Sequence, residues 1–430
     1  HKIAGTAMVE HVYRRSDELA ADSIHIVYGH GGEQVREQCA HFRAQWHEQS
    51  EQLGTAHAVE QASPALDDDS IALVLYGDVP LIRAATLKQL VGMVEGDDIA
   101  LLTVNLDDPT GYGRIVRENG QVTAIVEQKD ASEEQRKITE VNTGILAIRA
   151  GYLNACLKKI ENNNAQGEYY LTDVIAMAVN EGNRVVTAQP ENAFEVEGVN
   201  DRKQLAKLER IYQREQASVL MADGVTLADP SRIDVRGELN IGNDSFIDIN
   251  CIFEGEVNIG TNVHIGAGCI IRNSTIVCDS TIKPYSIIED ANVGKRVEVG
   301  PFARLRPGAE LKQDSRVGNF VEVKNTVLGE NSKASHLTYL GDSDIGRDVN
   351  IGAGTITCNY DGANKFRTVI EDGAFIGSDS QLVAPVTIGK NATVGAGSTI
   401  TRDTQADTLT LSRSVQKSIK GWKRPQKKQA

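Results

Sequence analysis

Only two histidines, His264 and His336, lie beyond residue 200 of this 430-residue sequence. An imidazole titrates near neutrality and can take a proton from a nucleophile. A catalytic metal on a repetitive β scaffold would need about three such ligands, so this count disfavours metal hydration chemistry. His336 stands in Lys333-Ala334-Ser335-His336-Leu337-Thr338-Tyr339-Leu340. Taken alone, it fits a packed, hydrogen-bonded wall residue as readily as a general base. His264, directly before Ile265, reads as a surface or wall residue. In the first half, Asp78 closes the run Leu75-Tyr76-Gly77-Asp78-Val79-Pro80. A carboxylate after an apolar strand is well placed to hold Mg²⁺ near a substrate phosphate. Gly77 lets backbone come close to a ligand. A helix cap or turn aspartate fits the same residues.

The element that must carry His336 has a period of six. Ile241, Ile247, Phe253, Ile259, Ile265 and Ile271 share one register. Ile276, Ile282 and Ile288 continue after a slip, then Val293, Val299 and Leu305, and later Ile376, Leu382, Ile388, Val394 and Ile400. Six is not a helical period. Short flat strands, each with one large side chain inward, fit better, and the small residue that often follows would permit a sharp corner. Stacked rungs then bury a narrow continuous core. The run Thr357-Cys358-Asn359-Tyr360-Asp361-Gly362-Ala363-Asn364-Lys365-Phe366 breaks the rhythm and reads as a loop thrown out of the coil.

Asp78 belongs to a different pattern. Apolar strand candidates at 24–28, 71–76 and 144–148 alternate with helical runs such as 85–95 and 170–180. This predicts a mostly parallel sheet covered on both faces, with ligands outside the carboxyl ends of its strands. Residues 201–222, with Leu205, Leu208, Ile211 and Tyr212 on one face, predict a single joining helix.

A net charge of −14 argues against non-specific nucleic-acid binding, and the short basic tail from Lys417 to Lys428 reads as solvated, helping to cover a ligand site. No apolar run reaches the roughly 18 residues of a membrane span. The six cysteines show no C-x-x-C pairing and sit mostly in apolar runs, which points to a reducing, cytoplasmic setting.

The order of motifs narrows the reading. Gln49-Ser50-Glu51-Gln52-Leu53-Gly54-Thr55-Ala56-His57 is followed by Tyr76-Gly77-Asp78, Gly111-Tyr112-Gly113-Arg114 and Val126-Glu127-Gln128-Lys129. Then come Glu140-Val141-Asn142-Thr143-Gly144, Glu197-Gly198-Val199-Asn200 and the hexads. In this order they resemble the bacterial bifunctional N-acetylglucosamine-1-phosphate uridylyltransferase / glucosamine-1-phosphate N-acetyltransferase family, which makes UDP-N-acetylglucosamine for cell-wall and lipopolysaccharide synthesis.

The resemblance implies an α/β nucleotidyltransferase (Rossmann-like) domain over 1–200 and a linker helix over 201–225. A left-handed parallel β-helix of hexapeptide repeats, assembled as a homotrimer, is implied over 226–430. It implies that Gln49, Gly54 and Thr55 meet uracil, that Asp78 and Asn200 hold Mg²⁺, and that Gly113, Glu127 and Asn142 meet N-acetylglucosamine, with Tyr76 and Gly77 beside them. For acetyl transfer it implies His336 as the base. Arg306, Lys324, Tyr339, Asn350 and Lys365 fall to glucosamine-1-phosphate, and Ala353, Asn359, Tyr360, Ser378, Ala396 and Arg413 to acetyl-CoA. UTP and acetyl-CoA are then co-substrates, and one acetyltransferase site draws on more than one subunit.

One departure stands out. The family opens with a Gly-rich loop and a Lys that cradle the triphosphate, whereas this sequence starts at His1. Gly29-His30-Gly31-Gly32 has no adjacent Lys and reads as a strand-to-helix turn. The expectation is an N-terminally shortened chain with little or no uridylyl transfer. A rival reading is a single-function sugar-1-phosphate nucleotidyltransferase whose β-helix serves only assembly.

Overall fold

The computed structural model describes all residues except His30, Ala165, Gln426 and 428–430. The chain forms two compact units, His1–Tyr212 and Gln213–Ala430. The division falls inside the helix Arg202–Ala222 rather than at either of its ends. Its first turns explain this: Leu205, Leu208, Ile211 and Tyr212 pack with Ile3 and Ala4. Farther on, Ala217 and Leu220 belong to the core of the second unit.

The first unit is built on a six-stranded sheet in which Glu140–Arg149 is central. Strand Ile99–Asn105 separates two apolar cores because alternate residues face opposite sides. Ile99, Leu101, Leu146 and Ile148 pack into one core, and Ala100, Leu102, Ile145 and Ala147 into the other. Both faces are therefore covered, as the continuous apolar strands require. The sheet is mixed rather than mostly parallel, which corrects the sequence expectation. Glu140–Arg149 runs antiparallel to Ile71–Val74, Ile99–Asn105 and Arg114–Glu118. Parallel pairing is confined to Val185–Ala188 on Ile99–Asn105 and to the separate pair His25–Tyr28 and Gln45–Glu48. A strand buried on both faces has the same apolar composition in either orientation, so the sequence cannot set direction. The two expected helical runs form Ala84–Val91 and Asp173–Glu181, each shorter than the sequence suggested. After Gly29, Gly31 takes φ 73 and the helix starts at Gly32, a strand-to-helix turn; His30 lies outside the described residues.

The second unit is a parallel β-helix. Ile265 pairs with Ile282, Ile282 with Val299, and Val299 with Val317, so each coil takes seventeen or eighteen residues. Of the expected hexad residues, all but Ile241 are buried in one continuous core; Ile241 is half-buried against it. The rhythm lengthens once: Ile351 pairs with Ile376, because 359–366 leave the coil there.

The corners differ from the expectation in one respect. The glycine directly after the aliphatic residue does not supply the bend. A Cβ on Gly260 would lie 2.7 Å from the backbone nitrogen of Cys278, and one on Gly352 would lie 2.6 Å from that of Ser378. These glycines let the next rung approach. The positive-φ bend lies two residues later, often at Asn or Asp, as at Asn250, Asp279 and Asp348. Their short polar side chains tolerate the left-handed region better than other L-residues. At one edge the pattern inverts, and Tyr285, Phe302, Phe320 and Leu337 all take positive φ while exposed.

Candidate active sites

In the first unit the chain turns at Tyr76-Gly77-Asp78 after strand Ile71–Val74. A cavity of about 330 Å³ opens there, lined by Tyr76, Asp78, Thr143, Asn200, Tyr112 and Gln204 among others. Asp78 and Asn200 thus share one cavity, held by the Val199 N–H donating to the Asp78 carbonyl at 3.0 Å. Gln204, unmarked by the sequence reading, fixes Asn200 from the helix: its Oε1 accepts from the Asn200 and Asp201 N–H groups at 2.6 and 3.1 Å. A carboxylate and an amide oxygen suit Mg²⁺, which takes few protein oxygens and keeps water and phosphate as other ligands. Among the described residues no group of three His, Cys, Asp or Glu side chains could enclose a metal.

Two further groups of the expected residues are each held together by local hydrogen bonds. The Asn142 N–H donates to the Gly113 carbonyl at 2.9 Å, and Asn142 Oδ1 accepts from the Gly144 N–H at 2.9 Å. A Cβ on Gly113 would lie 3.1 Å from Glu127 Oε1, so the bare glycine leaves that carboxyl its place. Burial, then the charges of Asp130 and Asp173, push the Glu127 carboxyl up. Burial, with Asp78 and Glu127 beside it, likewise raises the Tyr76 hydroxyl. In the second group, buried Gln49 donates from Nε2 to the Gly54 carbonyl at 3.2 Å, and Thr55 Oγ1 accepts from the Leu171 N–H at 3.0 Å. Gly54 takes φ 121 against the Tyr169 backbone, where no side chain fits. Neither group lines the Asp78 cavity itself.

In the second unit His336 ends strand Lys333–His336 and is exposed. It pairs with Asn319 one coil before, and His336 Nδ1 meets Asn319 Oδ1 at 2.6 Å. The amide oxygen accepts the Nδ1 proton, so Nε2 keeps its lone pair for an incoming proton. The sequence reading missed Asn319. The signal was present, since it stands one coil length before His336.

Going the other way, register places Ala353, Ser378 and Ala396 in one column above His336. Lys333 pairs with Asn350, Asn350 with Phe375, and Phe375 with Thr393, three residues before each column member. Main-chain bonds follow the same edge: Asp379 N–H to the Ala353 carbonyl, then Gly397 N–H to the Ser378 carbonyl. Arg413 closes the column with its guanidinium donating to the Ala396 carbonyl at 2.7 Å. At about 4.8 Å per rung, the three steps from His336 to Ala396 span roughly 14 Å. Small side chains along that length leave a shallow track, with a cation at its end.

The cations stand on the next face. Arg306 and Lys324 follow paired strand residues Arg304 and Glu322 in the same register, and Lys324 pairs with Gly341. Arg306 also donates to Glu322 Oε1 at 2.7 Å. Lys365 reaches Lys324 from the ejected segment, and its ammonium pulls the Lys324 ammonium below the usual range. That segment is an ordered hairpin, with Tyr360 bridging Lys365 and Phe366 N–H donating to the Asn359 carbonyl. Tyr339 lies between the cations and His336, its ring folded over Gly341, where no Cβ fits. From His336 to Gly341 is five residues, so their Cα atoms are at most about 18 Å apart.

Two of the expected residues stand apart from the exposed column. Asn350 sits at the far end of its face from the His336 column, above Lys333. Asn359 is buried, with its amide donating to Asp342 rather than turned to solvent.

Family comparisons agree with both units. Residues 1–140 match the MobA-like NTP transferase domain, 235–309 the GMPPB C-terminal domain, and 367–402 the bacterial transferase hexapeptide of six repeats. The chain is 57% identical to the "Bifunctional protein GlmU" of Marinobacter nauticus, over 99% of this chain and 94% of the relative. It is 56% identical to the protein of that name from Nitrosospira multiformis, over 100% of this chain and 94% of the relative. The chain belongs to the bifunctional GlmU family. That membership accounts for a nucleotidyltransferase unit and a hexapeptide unit in one polypeptide, and makes the chain a bifunctional transferase. It gives no support to the expectation that uridylyl transfer is lost. No described helix is long and apolar enough to cross a membrane.

Proposed function

We propose that each unit carries one of two successive steps of UDP-N-acetylglucosamine synthesis. On the β-helix, the amine of glucosamine-1-phosphate attacks the thioester carbon of acetyl-CoA. The observation that carries this reading is the single column running from His336 through Ala353, Ser378 and Ala396 to Arg413. His336 Nε2 takes the amine proton as the C–N bond forms, and the C–S bond then breaks. The imidazolium returns that proton to the departing thiolate. Arg306, Lys324 and Lys365 hold the sugar phosphate, Tyr339 orients the ring, and the column seats the pantetheine arm, with Asn359 and Tyr360 beside it. No acyl-enzyme is needed. Cys358 is half-buried with its thiol raised by burial, a poor nucleophile. A β-helix kept only for assembly would need neither the imidazole nor the cations, which disfavours the single-function alternative.

In the first unit the sugar phosphate attacks the α-phosphorus of UTP and pyrophosphate leaves. Gln49, Gly54 and Thr55 hold the uracil. Gly113, Glu127 and Asn142 hold the N-acetylglucosamine, beside Tyr76 and Gly77. Asp78 and Asn200 bind Mg²⁺, which supplies neutralisation of phosphate charge. The protein's own part is positioning, as in other phosphoryl-type transfers. Asp78→Asn is expected to slow pyrophosphate release by roughly 10²–10³ while leaving acetyl transfer unchanged. The competing expectation of a lost activity predicts no pyrophosphate from the unsubstituted chain. Equal rates in chain and variant would remove Asp78 from the site.

We take the assembly to be a homotrimer, working in the cytoplasm. Tyr285, Phe302 and Phe320 stack along one edge with centroids 5.3 and 5.4 Å apart, and Leu337 follows them directly after His336. An apolar column of this length supports burial by a second copy. Asn350, distant from its own His336, would then serve a neighbour's site. Phe302→Asp with Phe320→Asp is expected to give monomers in sedimentation velocity and to lower acetyl transfer; an unchanged trimer mass would place the contact elsewhere.

A further inference from the structure

Corner carboxylates that accept from an asparagine one coil away recur along the β-helix. Asn262 donates to Asp279, Asn331 to Asp348, and Asn391 to Asp407. Those aspartates tie one rung to the next and do nothing more in the structure that bears on a ligand. Asp342 differs from them. It shares their positive φ but is 8% exposed, where they are exposed. Its Oδ1 accepts from Asn325 Nδ2 at 2.5 Å and its Oδ2 from Asn359 Nδ2. Its own N–H donates to the Lys324 carbonyl at 3.1 Å, and its carbonyl accepts from the Thr368 N–H at 3.1 Å.

These four bonds meet at the base of the ejected hairpin. Asn359 is its entry and Thr368 lies just past its exit, so one residue pins both ends. The same residue holds the backbone of Lys324. Lys324 and Lys365 are like charges close enough for Lys365 to lower the Lys324 ammonium, an arrangement that opposes itself until an anion arrives. Both ammonium groups act on the Asp342 carboxyl. Burial alone would raise that carboxyl, yet the two amides and the two lysines bring it below its usual range. The carboxylate is therefore ionised and buried, with both oxygens held by amides and the charges of both lysines acting on it.

We propose that Asp342 is a positioning residue for the phosphate subsite. It fixes the hairpin so that Lys365 is delivered beside Lys324, and its charge offsets the repulsion between them. This rests on the acetyltransferase reading above. A purely structural corner would affect stability without favouring one substrate over another.

The test is steady-state kinetics of acetyl transfer by the full chain, with thermal midpoints measured in parallel. Asp342→Asn removes the charge and turns one acceptor into a donor that faces an amide N–H. Its KM for glucosamine-1-phosphate is expected to rise roughly tenfold or more, with kcat within about threefold of the parent. In a Lys365→Met background, adding Asp342→Asn should change that KM by less than about twofold, because the effect runs through Lys365. Asp342→Glu keeps the charge but shifts the carboxylate out of line with the two amides. It should give a smaller rise in KM, and it serves as the readout if Asp342→Asn does not fold. An unchanged KM in the folded variants, or an undiminished effect in the Lys365→Met background, would overturn the proposal. A fall in kcat at constant KM would do the same. Absence of acetyl transfer in the unsubstituted chain would overturn the parent reading and this inference with it.

Discussion

His336→Ala is expected to lower kcat for acetyl transfer by roughly 10²–10⁴, the range for loss of a general acid or base. The fold should survive, because the imidazole is exposed. The reason for so large an effect is protonation. A sugar amine attacks a thioester only with its lone pair free, and the proton must leave as the tetrahedral intermediate forms. Asn319 Oδ1 accepts from Nδ1, which directs the basic nitrogen outward. The second unit's other histidine, His264, lies several coils away, exposed and stacked on Phe246 with centroids 4.7 Å apart. Thiol release with saturating acetyl-CoA and glucosamine-1-phosphate checks this. A rate within threefold of the parent would remove His336 from its role.

Ser378→Trp should weaken acetyl-CoA binding by roughly 10² or more through steric exclusion alone. Ser378 is exposed and lies midway along the column, with Ala353 below and Ala396 above. An indole there fills the track without entering the core, so the thermal midpoint should hardly move. Binding is read by calorimetry with CoA, which separates the effect from chemistry at His336. Glucosamine-1-phosphate binding should be retained, because the cations stand on the adjacent face. Unchanged CoA affinity would show that the arm runs elsewhere.

The β-helix was legible because each flat strand buries one large side chain, and those positions repeat every six residues. The ejected hairpin was legible for the same reason, as the place where Thr357 to Phe366 break that spacing, although Thr357 and Cys358 still belong to strand Ile356–Cys358. Less was visible at the corners. Asn and Asp at positive φ look like ordinary turn residues in sequence, and Tyr285, Phe302, Phe320 and Leu337 contradict the usual preferences of the left-handed region. Asn319 and Asp342 escaped notice because their partners are one coil away: seventeen residues separate Asn319 from His336, and Asn325 from Asp342. A search at coil spacing around each candidate would have found both. In the first unit, strand existence was legible and strand direction was not. The run ending at Arg149 is buried on both sides, and its composition carries no sign of orientation. Gln204 is one polar residue among many on its helix, and only the fold shows it gripping Asn200.

The most direct measurement is a crystal structure of the assembled protein with glucosamine-1-phosphate and CoA bound together. The account predicts the sugar nitrogen about 3 Å from His336 Nε2, within reach for proton transfer. It also predicts the phosphate between Lys324 and Lys365, and the pantetheine arm along Ala353, Ser378 and Ala396. A sugar amine out of reach of His336, with the phosphate away from both lysines, would contradict it.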